Sequence, residues 1–373
     1  MIYLDTSASY PVLSEVKAVL SEAIETIYAN SAASHLLAEA ASSKIERVRS
    51  DLADHIGAFP SEVIFTSGAT ESNNIALKSV LFGGALPKEK KHIITSSIEH
   101  KCVLSICDYL SRQGFDVTYL APNSKGVIDV AMVEEAFRDD TAIVSVMHVN
   151  NELGTINPIG DIGALCAKRE VLFHSDAAQS FGKIDIDVDD LNIDLLSISA
   201  HKIGGPKGIG ALYIRDLRKF KLEPVIHGAG QEKGLRGGTV AAPLIIGFGE
   251  AAYRFPGYYE QFKLIGAKNY FLSQLNKNGI AYQANGGDLS LPSCISLTLN
   301  ETDVASLIRK NEKGLCLAQG SACSSREIEA SHVLTALGLN RAQADRTLRI
   351  SFPLDITLKQ IDTLVLAIKQ SGL

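Results

Sequence analysis

Lys202 is the residue whose type and setting point most directly to chemistry. It lies in the segment 197–208, where an apolar strand-like run gives way to glycine-rich turns. A lysine amine at the carboxyl end of a buried strand, near hydroxyl and imidazole side chains, can condense with the aldehyde of a cofactor. A strand-terminal lysine is more often a solvated edge residue, so this interpretation needs support from elsewhere in the chain.

A carboxylate supports it, because a second apolar run, residues 171–175, ends directly before Asp176. A carboxylate that pairs with a pyridine nitrogen keeps the ring protonated, so that the ring can withdraw electrons from a substrate carbanion. The alternative for such an aspartate is a helix cap. Together, Lys202 and Asp176 predict a site for pyridoxal phosphate (PLP), in which the lysine forms the Schiff base and Asp176 holds the ring nitrogen.

A phosphate site is predicted where small residues follow the strand-like run 63–66. The segment 67–72 reads Ser-Gly-Ala-Thr-Glu-Ser and opens a helical pattern. The unpaired N–H groups of a first helical turn and the helix dipole both favour an anion. The alternative is a plain capping segment with Thr70 as the cap. Three strand-end features in one domain favour the phosphate site.

Two more polar residues follow predicted strands. His100 comes after the run 92–97 and could lie against the PLP ring as an acid–base group. Asn151 comes after the run 142–148, where its amide could bind a substrate carboxylate or the phenolic oxygen of PLP. A structural histidine and a simple turn at Asn150-Asn151 are the respective alternatives.

Cys323 is the candidate nucleophile, within the segment 318–326. Small and polar residues on both sides predict an accessible, flexible thiol. Only a few per cent of an ordinary thiol is ionised at neutral pH, so the site must promote its deprotonation. A solvent loop that happens to contain a cysteine is the alternative. The other cysteines lie in apolar patterns and are predicted core residues: Cys102, Cys107, Cys166, Cys294 and Cys316.

The composition is that of an ordinary globular enzyme. The chain has 373 residues, of which 46% are hydrophobic and 21% charged, and its net charge is -6. Direct nucleic-acid binding is therefore not expected. No secretion signal or bilayer-spanning stretch is recognisable, so we expect a cytoplasmic protein without membrane contact. The absence of a CxxC pair argues against a zinc site and a disulfide framework.

The order of predicted elements is typical of an α/β fold with two domains. We expect a large domain, residues 12–250, with a mostly parallel sheet, and a smaller α+β domain, residues 251–373, with residues 1–11 packed nearby. The carboxyl ends of the large domain's strands should line the active site. Strands are predicted at 63–66, 92–97, 117–120, 142–148, 171–175, 195–199, 211–214, 294–299, 315–318 and 348–352, and helices at 14–28, 39–56, 71–81 and 361–369.

The chain resembles the cysteine desulfurases of the class V aminotransferase group, which are fold type I PLP enzymes. The similarity covers almost the whole chain, and the loop around Cys323 is similar to that of the subgroup with a long cysteine loop. Members of that subgroup supply iron–sulfur cluster assembly and tRNA thiolation. The matching segments are 2–5, 66–73, 99–100, 148–154, 176–179, 199–212, 230–239, 320–325 and 348–351.

The resemblance implies a role for each matching residue. Ala69 belongs to the cofactor site, and the PLP phosphate would be bound by Thr70, Ser199 and His201. Gln179 would contact the phenolic oxygen, while Asn151 and Arg349 would hold the substrate carboxylate. Thr239 would reach the phosphate of the neighbouring subunit, which implies a homodimer.

The activity implied is conversion of L-cysteine to L-alanine, with the sulfur passing to Cys323 as a persulfide and then to a protein acceptor or scaffold. Lys202 would remove the α-proton of the substrate. A selenocysteine lyase or an aminotransferase of the same family is one alternative, but transamination has no use for a second nucleophile such as Cys323. A PLP-bearing subunit without turnover is another, and it would be expected to lack Lys202 or Cys323.

Overall fold

The structure, a computed structural model, describes residues 1–84, 86–217, 221–319 and 330–372. Its strands, in chain order, are β1 (Ile2–Tyr3), β2 (Val63–Thr66), β3 (His92–Ser96), β4 (Asp116–Leu120), β5 (Thr141–Ser145), β6 (Leu172–Asp176), β7 (Leu195–Ser199), β8 (Gly210–Ile214), β9 (Tyr282–Ala284), β10 (Cys294–Leu299), β11 (Leu315–Cys316), β12 (Ala318–Gln319) and β13 (Thr347–Ser351).

The helices lie between these strands and around them. In chain order they are α1 (Ser14–Thr26), α2 (Leu36–Asp54), α3 (Ala69–Phe82), α4 (Lys101–Arg112), α5 (Val130–Ala136), α6 (Ile159–Lys168), α7 (Ala242–Tyr258), α8 (Gln261–Lys277), α9 (Val304–Asn311), α10 (His332–Ala336), α11 (Arg341–Asp345) and α12 (Leu358–Gln370).

A seven-stranded sheet forms the centre of the described fold, in the order β2-β8-β7-β6-β5-β3-β4. Strand β8 is antiparallel to both of its neighbours, and the other pairs are parallel. The connection from β7 to β8, residues 200–209, contains one helical turn but no crossover helix, and the chain reverses direction there. The carboxyl ends of the other six strands, β2 among them, therefore share one edge of the sheet.

Both faces of this sheet are covered, which explains why its strands are continuous apolar runs. Successive residues of a strand face opposite sides of the sheet and so pack in different clusters. Ile93 of β3 and Leu195 of β7 pack in the cluster that includes α3 and α4. Their neighbours Ile94 and Leu196 pack in the larger cluster that includes α2, α6 and α7. The predicted α/β class, with a large and mostly parallel sheet, is confirmed.

A second sheet, antiparallel throughout, is built from later residues in the order β12-β13-β10-β9. The amino-terminal segment joins this region, because β1 pairs with β11 and Ser351 N–H donates to the Leu4 carbonyl at 2.8 Å. Residue 250 lies inside α7, which packs against α1 and α2. The proposed domain boundary at that residue stays a prediction. In the described part of the chain, no helix is long and apolar enough to cross a membrane.

Candidate active site

A cavity of about 550 Å³ opens at the shared carboxyl edge of the large sheet. Its walls come from the segments that follow β2, β3, β5, β6 and β7, from the amino-terminal segment and from β13. Ten of the residues predicted from the sequence line this one cavity: Ala69, Thr70, His100, Asn151, Asp176, Gln179, Ser199, His201, Lys202 and Arg349.

Lys202 ends a one-turn helix, Ala200–Lys202, that follows β7 directly. Its Nζ donates hydrogen bonds to the Ser7 carbonyl at 2.6 Å and to the Ala8 carbonyl at 2.9 Å. Both acceptors belong to the amino-terminal segment, which sequence reasoning had not connected with the lysine. This segment therefore holds the amine at the cavity wall.

Asp176 is the last residue of β6 and is buried. Its Oδ2 accepts a hydrogen bond from Asn73 Nδ2 at 2.8 Å, and its Oδ1 accepts one from Ala178 N–H at 2.9 Å. Sequence reasoning missed Asn73. The available signal was its place three residues after Thr70 in a helix, which puts both residues on one face.

The start of α3 can accept an anion. Gly68 precedes the helix with φ +145°, a conformation that favours glycine, and a Cβ there would lie 3.8 Å from Ser199 Oγ. Helix α3 then begins at Ala69, and its first turn has backbone N–H groups without intrahelical acceptors. The predicted phosphate site thus has the required local structure at the cavity wall.

His100 caps α4, because its Nδ1 accepts a hydrogen bond from Cys102 N–H at 3.2 Å. Burial lowers the pKa of His100, and the charges of Lys202 and Lys101 lower it further, although Asp176 opposes them. The ring is therefore neutral at neutral pH. With Nδ1 accepting, its proton lies on Nε2.

Cys102 fulfils its sequence prediction only in part. It packs against the cluster that includes α3 and α4, but it also lines the cavity, with Sγ 3.0 Å from His100 Nδ1. The helical pattern alone did not reveal this, because the first turn of α4 borders the cavity while the rest of its apolar face is buried. Burial raises the pKa of the Cys102 thiol to about 12, so the thiol stays protonated. The predictions for Cys107, Cys166 and Cys294 are confirmed, and Cys316 is half-buried.

Two further cavity residues contact the amino-terminal segment. Gln179 Nε2 donates to the Ser7 carbonyl at 2.8 Å. His201 Nδ1 lies 3.3 Å from Ser9 Oγ. Burial, followed by the nearby positive charge of Lys202, lowers the pKa of His201 to about 4. His201 is thus a neutral ring able to donate or accept a hydrogen bond.

Arg349, on β13, brings a cation to the cavity wall. Its Nη2 lies 2.7 Å from Asp5 Oδ1, and its Nη1 donates to the Asn151 carbonyl at 3.2 Å. Among the described residues that line the cavity, Arg349 Nε and Asn151 Oδ1 are the buried polar side-chain atoms without hydrogen-bond partners. Buried polar atoms are rarely left unpaired, so these two indicate a polar ligand. Asn150 forms the turn itself, since its Oδ1 accepts from the N–H groups of Glu152 and Leu153.

Two predicted residues are not among the described residues that line this cavity. Thr239 is exposed in the protomer. Cys323 lies outside the described residues, but the residues described on either side of it are close to the cavity. Ala318 pairs with Arg349 across β12 and β13, and His332 Nε2 lies 2.8 Å from the Glu99 carbonyl.

The donor set fits PLP in size and in chemistry. A lysine amine, a buried carboxylate and a helix start occur in one cavity, as an aldehyde, a pyridine nitrogen and a phosphate require. Asn151 Oδ1 and Arg349 Nε have no hydrogen-bond partner among the described residues, so both atoms can bind polar groups of a ligand. The part of the chain that the structure describes contains no cluster of three or more metal-ligating side chains.

Comparisons with known proteins give a consistent result. The aminotransferase class-V family model matches residues 2–364. A mitochondrial cysteine desulfurase of Candida maltosa is 43% identical over 99% of this chain and 77% of its own length. The cysteine desulfurase IscS of Pseudomonas aeruginosa is 44% identical over 97% of this chain and 90% of its own. The solved structure of SspA in complex with cysteine has a TM-score of 0.85 and 46% identity, covering 95% of this chain and 99% of that one.

Proposed function

Because this chain belongs to the class-V aminotransferase family and, within it, to the cysteine desulfurases, we propose that it converts L-cysteine to L-alanine and retains the sulfur as a persulfide on Cys323. PLP is the cofactor of this family. When bound, it supplies an electron-withdrawing ring that stabilises negative charge at the substrate α-carbon. The observation that carries the proposal is one cavity lined by Lys202, Asp176 and Arg349.

Substrate binding is assigned to Arg349 and Asn151. Asp5 occupies one terminal nitrogen of the guanidinium and so fixes its plane, while Nε remains without a partner among the described residues. A guanidinium with a fixed plane favours a carboxylate, which it can bind through parallel hydrogen bonds. The pair therefore selects an α-amino acid and orients its carboxylate.

Proton transfer is assigned to Lys202. Its amine lies at the end of β7 and is positioned by the carbonyls of Ser7 and Ala8. An amine held in this way can take the α-proton and return it to the carbon skeleton of the product. The neutral His100 ring has its proton on Nε2 and can serve as a second donor.

Sulfur transfer is assigned to Cys323. Its thiolate attacks the substrate sulfur, the carbon–sulfur bond of the substrate breaks, and its electron pair stays with the carbon skeleton, which a proton converts to alanine. The new sulfur–sulfur bond keeps the transferred atom on the enzyme. The positions of Ala318 and His332, on either side of the segment 320–329, support access of this thiol to the cavity. A protein acceptor or scaffold would then take the sulfur.

The test measures alanine and enzyme-bound sulfur after addition of L-cysteine. We expect Cys323→Ser to bind PLP and L-cysteine but to form almost no alanine and no persulfide, because neither binding step uses this thiol. Cys316→Ser is the matched control and should behave as the wild type. If Cys323→Ser kept full alanine and sulfide production while Cys316→Ser abolished it, the nucleophile would be misassigned.

The lysine has its own test. Purified protein should be yellow, and borohydride should fix the cofactor to Lys202. Lys202→Ala should lose this reducible chromophore, because the described cavity wall offers no equivalent amine at the end of β7. An unchanged reducible chromophore in the variant would refute the assignment.

The cytoplasmic location expected from the sequence also stays a prediction, since one relative is named as a mitochondrial enzyme.

A further inference from the structure

A carboxylate stands at the predicted phosphate site. Glu71 belongs to the first turn of α3 and lines the cavity together with Ser67 and Thr70. Its Oε2 accepts a hydrogen bond from Ser67 N–H at 2.8 Å, so it ties together the turn that leads into the helix. A carboxylate is favourable for the helix dipole, but it would repel a phosphate bound at the same helix start.

Arg236 compensates this charge. Its Nε donates to Glu71 Oε1 at 2.9 Å, and the pair is mostly buried, with side-chain exposures of 25% for Arg236 and 11% for Glu71. A charge-assisted hydrogen bond in such a place is stronger than one between exposed groups. Arg236 thus reaches Glu71 from a segment 165 residues later in the chain.

The backbone around Arg236 is held in place. Residues 226 and 236 form a bridge, and Gly237 N–H donates to the Ile226 carbonyl at 2.9 Å. A Cβ on Gly237 would come within 2.5 Å of Gly228 Cα, so only glycine permits this approach. The guanidinium therefore extends from an anchored strand-like segment rather than from a free loop.

We propose that Arg236 is a positioning residue for the cofactor phosphate: it neutralises Glu71 and, through Glu71, holds the turn Ser67–Thr70 in the shape that binds the anion. The proposal rests on the PLP-dependent function proposed above. Among the described residues, the lysines and arginines that line the cavity are Lys202, Lys207 and Arg349, whereas Arg236 acts through its contact with Glu71. Loss of Arg236 would leave the carboxylate of Glu71 uncompensated against the phosphate.

The experiment compares the affinity for PLP with that for pyridoxal, which has no phosphate, in cofactor-depleted protein. We expect Arg236→Gln to weaken PLP binding roughly 10- to 100-fold. Pyridoxal binding should hardly change, because the effect is on the phosphate alone. The double variant Arg236→Gln/Glu71→Gln should recover most of the lost PLP affinity, since the uncompensated charge is then gone and the glutamine carbonyl can still accept from Ser67 N–H.

Two control variants sharpen the result. Arg236→Lys keeps the charge and should retain most of the PLP affinity. Arg138→Gln removes an arginine that pairs with Asp116 and Asp140 on the surface, away from the cavity, and should leave both affinities unchanged. If Arg236→Gln does not fold, Arg236→Lys and the double variant are each compared with the wild type: charge is balanced in both, so both should keep most of the PLP affinity, and a selective loss of PLP affinity in both would contradict the proposal.

Three outcomes would overturn the proposal: unchanged PLP affinity in Arg236→Gln, an equal loss for PLP and pyridoxal, or a double variant as weak as the single one. If the wild type bound neither PLP nor pyridoxal, the proposed function itself would fail. That result is distinguishable, because it does not depend on any substitution.

Discussion

At the level of single residues, Asn73 is a described side chain that donates a hydrogen bond to Asp176, the carboxylate proposed to hold the ring nitrogen. Its amide donates to Asp176 at 2.8 Å in a buried setting. A hydrogen bond to a charged group contributes about 1.5–3 kcal/mol, so we expect Asn73→Ala to lower the turnover number on the order of 10- to 100-fold. Steady-state alanine formation from L-cysteine measures this.

The matched control for that prediction is Asn278→Ala. The Asn278 amide donates to a carbonyl of its own helix, α8, and not to a carboxylate. Its substitution should leave turnover unchanged. Equal losses in the two variants would mean that the Asn73–Asp176 hydrogen bond has no specific effect on the reaction.

Glu99 predicts a pH effect on stability. It is fully buried, and although Ser96 and Met147 donate to Oε1, burial raises its pKa from 4.5 to about 8. Between these two pH values, Glu99 carries a proton in the folded state but has released it in the unfolded state. The free energy of unfolding should therefore fall as pH rises through this window.

The side chain introduced by Glu99→Gln cannot ionise, so the pH-dependent contribution of Glu99 to the free energy of unfolding should disappear. Relative to the wild type, the variant should gain stability as pH increases, by on the order of a few kcal/mol across the window. Urea unfolding at several pH values measures the two slopes. Glu25→Gln, on an exposed position of α1, is the control. Parallel slopes for the wild type and Glu99→Gln would contradict the prediction.

Between elements, a buried ion pair connects α2 to the turn Glu232–Gly234. Arg49 Nη1 and Nη2 lie 2.8 and 2.9 Å from the two oxygens of Glu232, which also accepts from Phe65 N–H at 2.6 Å. Because both side chains are buried, loss of one partner leaves an uncompensated charge. We expect Glu232→Gln to lower the free energy of unfolding by roughly 3–5 kcal/mol, measured by urea denaturation.

The same arginine offers the control. Glu46 also pairs with Arg49, but its side chain is 58% exposed. Glu46→Gln should therefore cost less than about 1 kcal/mol. Similar losses in the two variants would show that burial does not decide the strength of these pairs.

For the whole molecule, the main prediction is assembly. Thr239 is exposed in the protomer, and its resemblance to a residue that completes a neighbour's phosphate site predicts a homodimer. Sedimentation at micromolar concentration should give twice the chain mass of 40.0 kDa. Thr239→Ala should weaken PLP binding in that dimer. A monomer that binds PLP tightly and turns over would disprove the shared site.

Local patterns in the sequence predicted much of this protein. The predicted strands 63–66, 195–199 and 294–299 have the same bounds in the structure, because apolar runs bounded by turns are a local property. Parallel strands place their carboxyl ends together, which is why Lys202, Asp176 and His100 could be assigned to one site before their positions were known. The roles of Thr239 and Cys323 stay predictions.

Only the tertiary structure decided how these residues are held. Asp5 pairs with Arg349 across 344 residues, Arg236 with Glu71 across 165, and Asn73 with Asp176 across 103. The antiparallel direction of β8 and the cavity position of Cys102 likewise differ from what a local pattern indicates. Hydrophobic periodicity encodes which face of an element is buried, whereas these contacts depend on how distant elements pack, and short-range spacing carries no information about that.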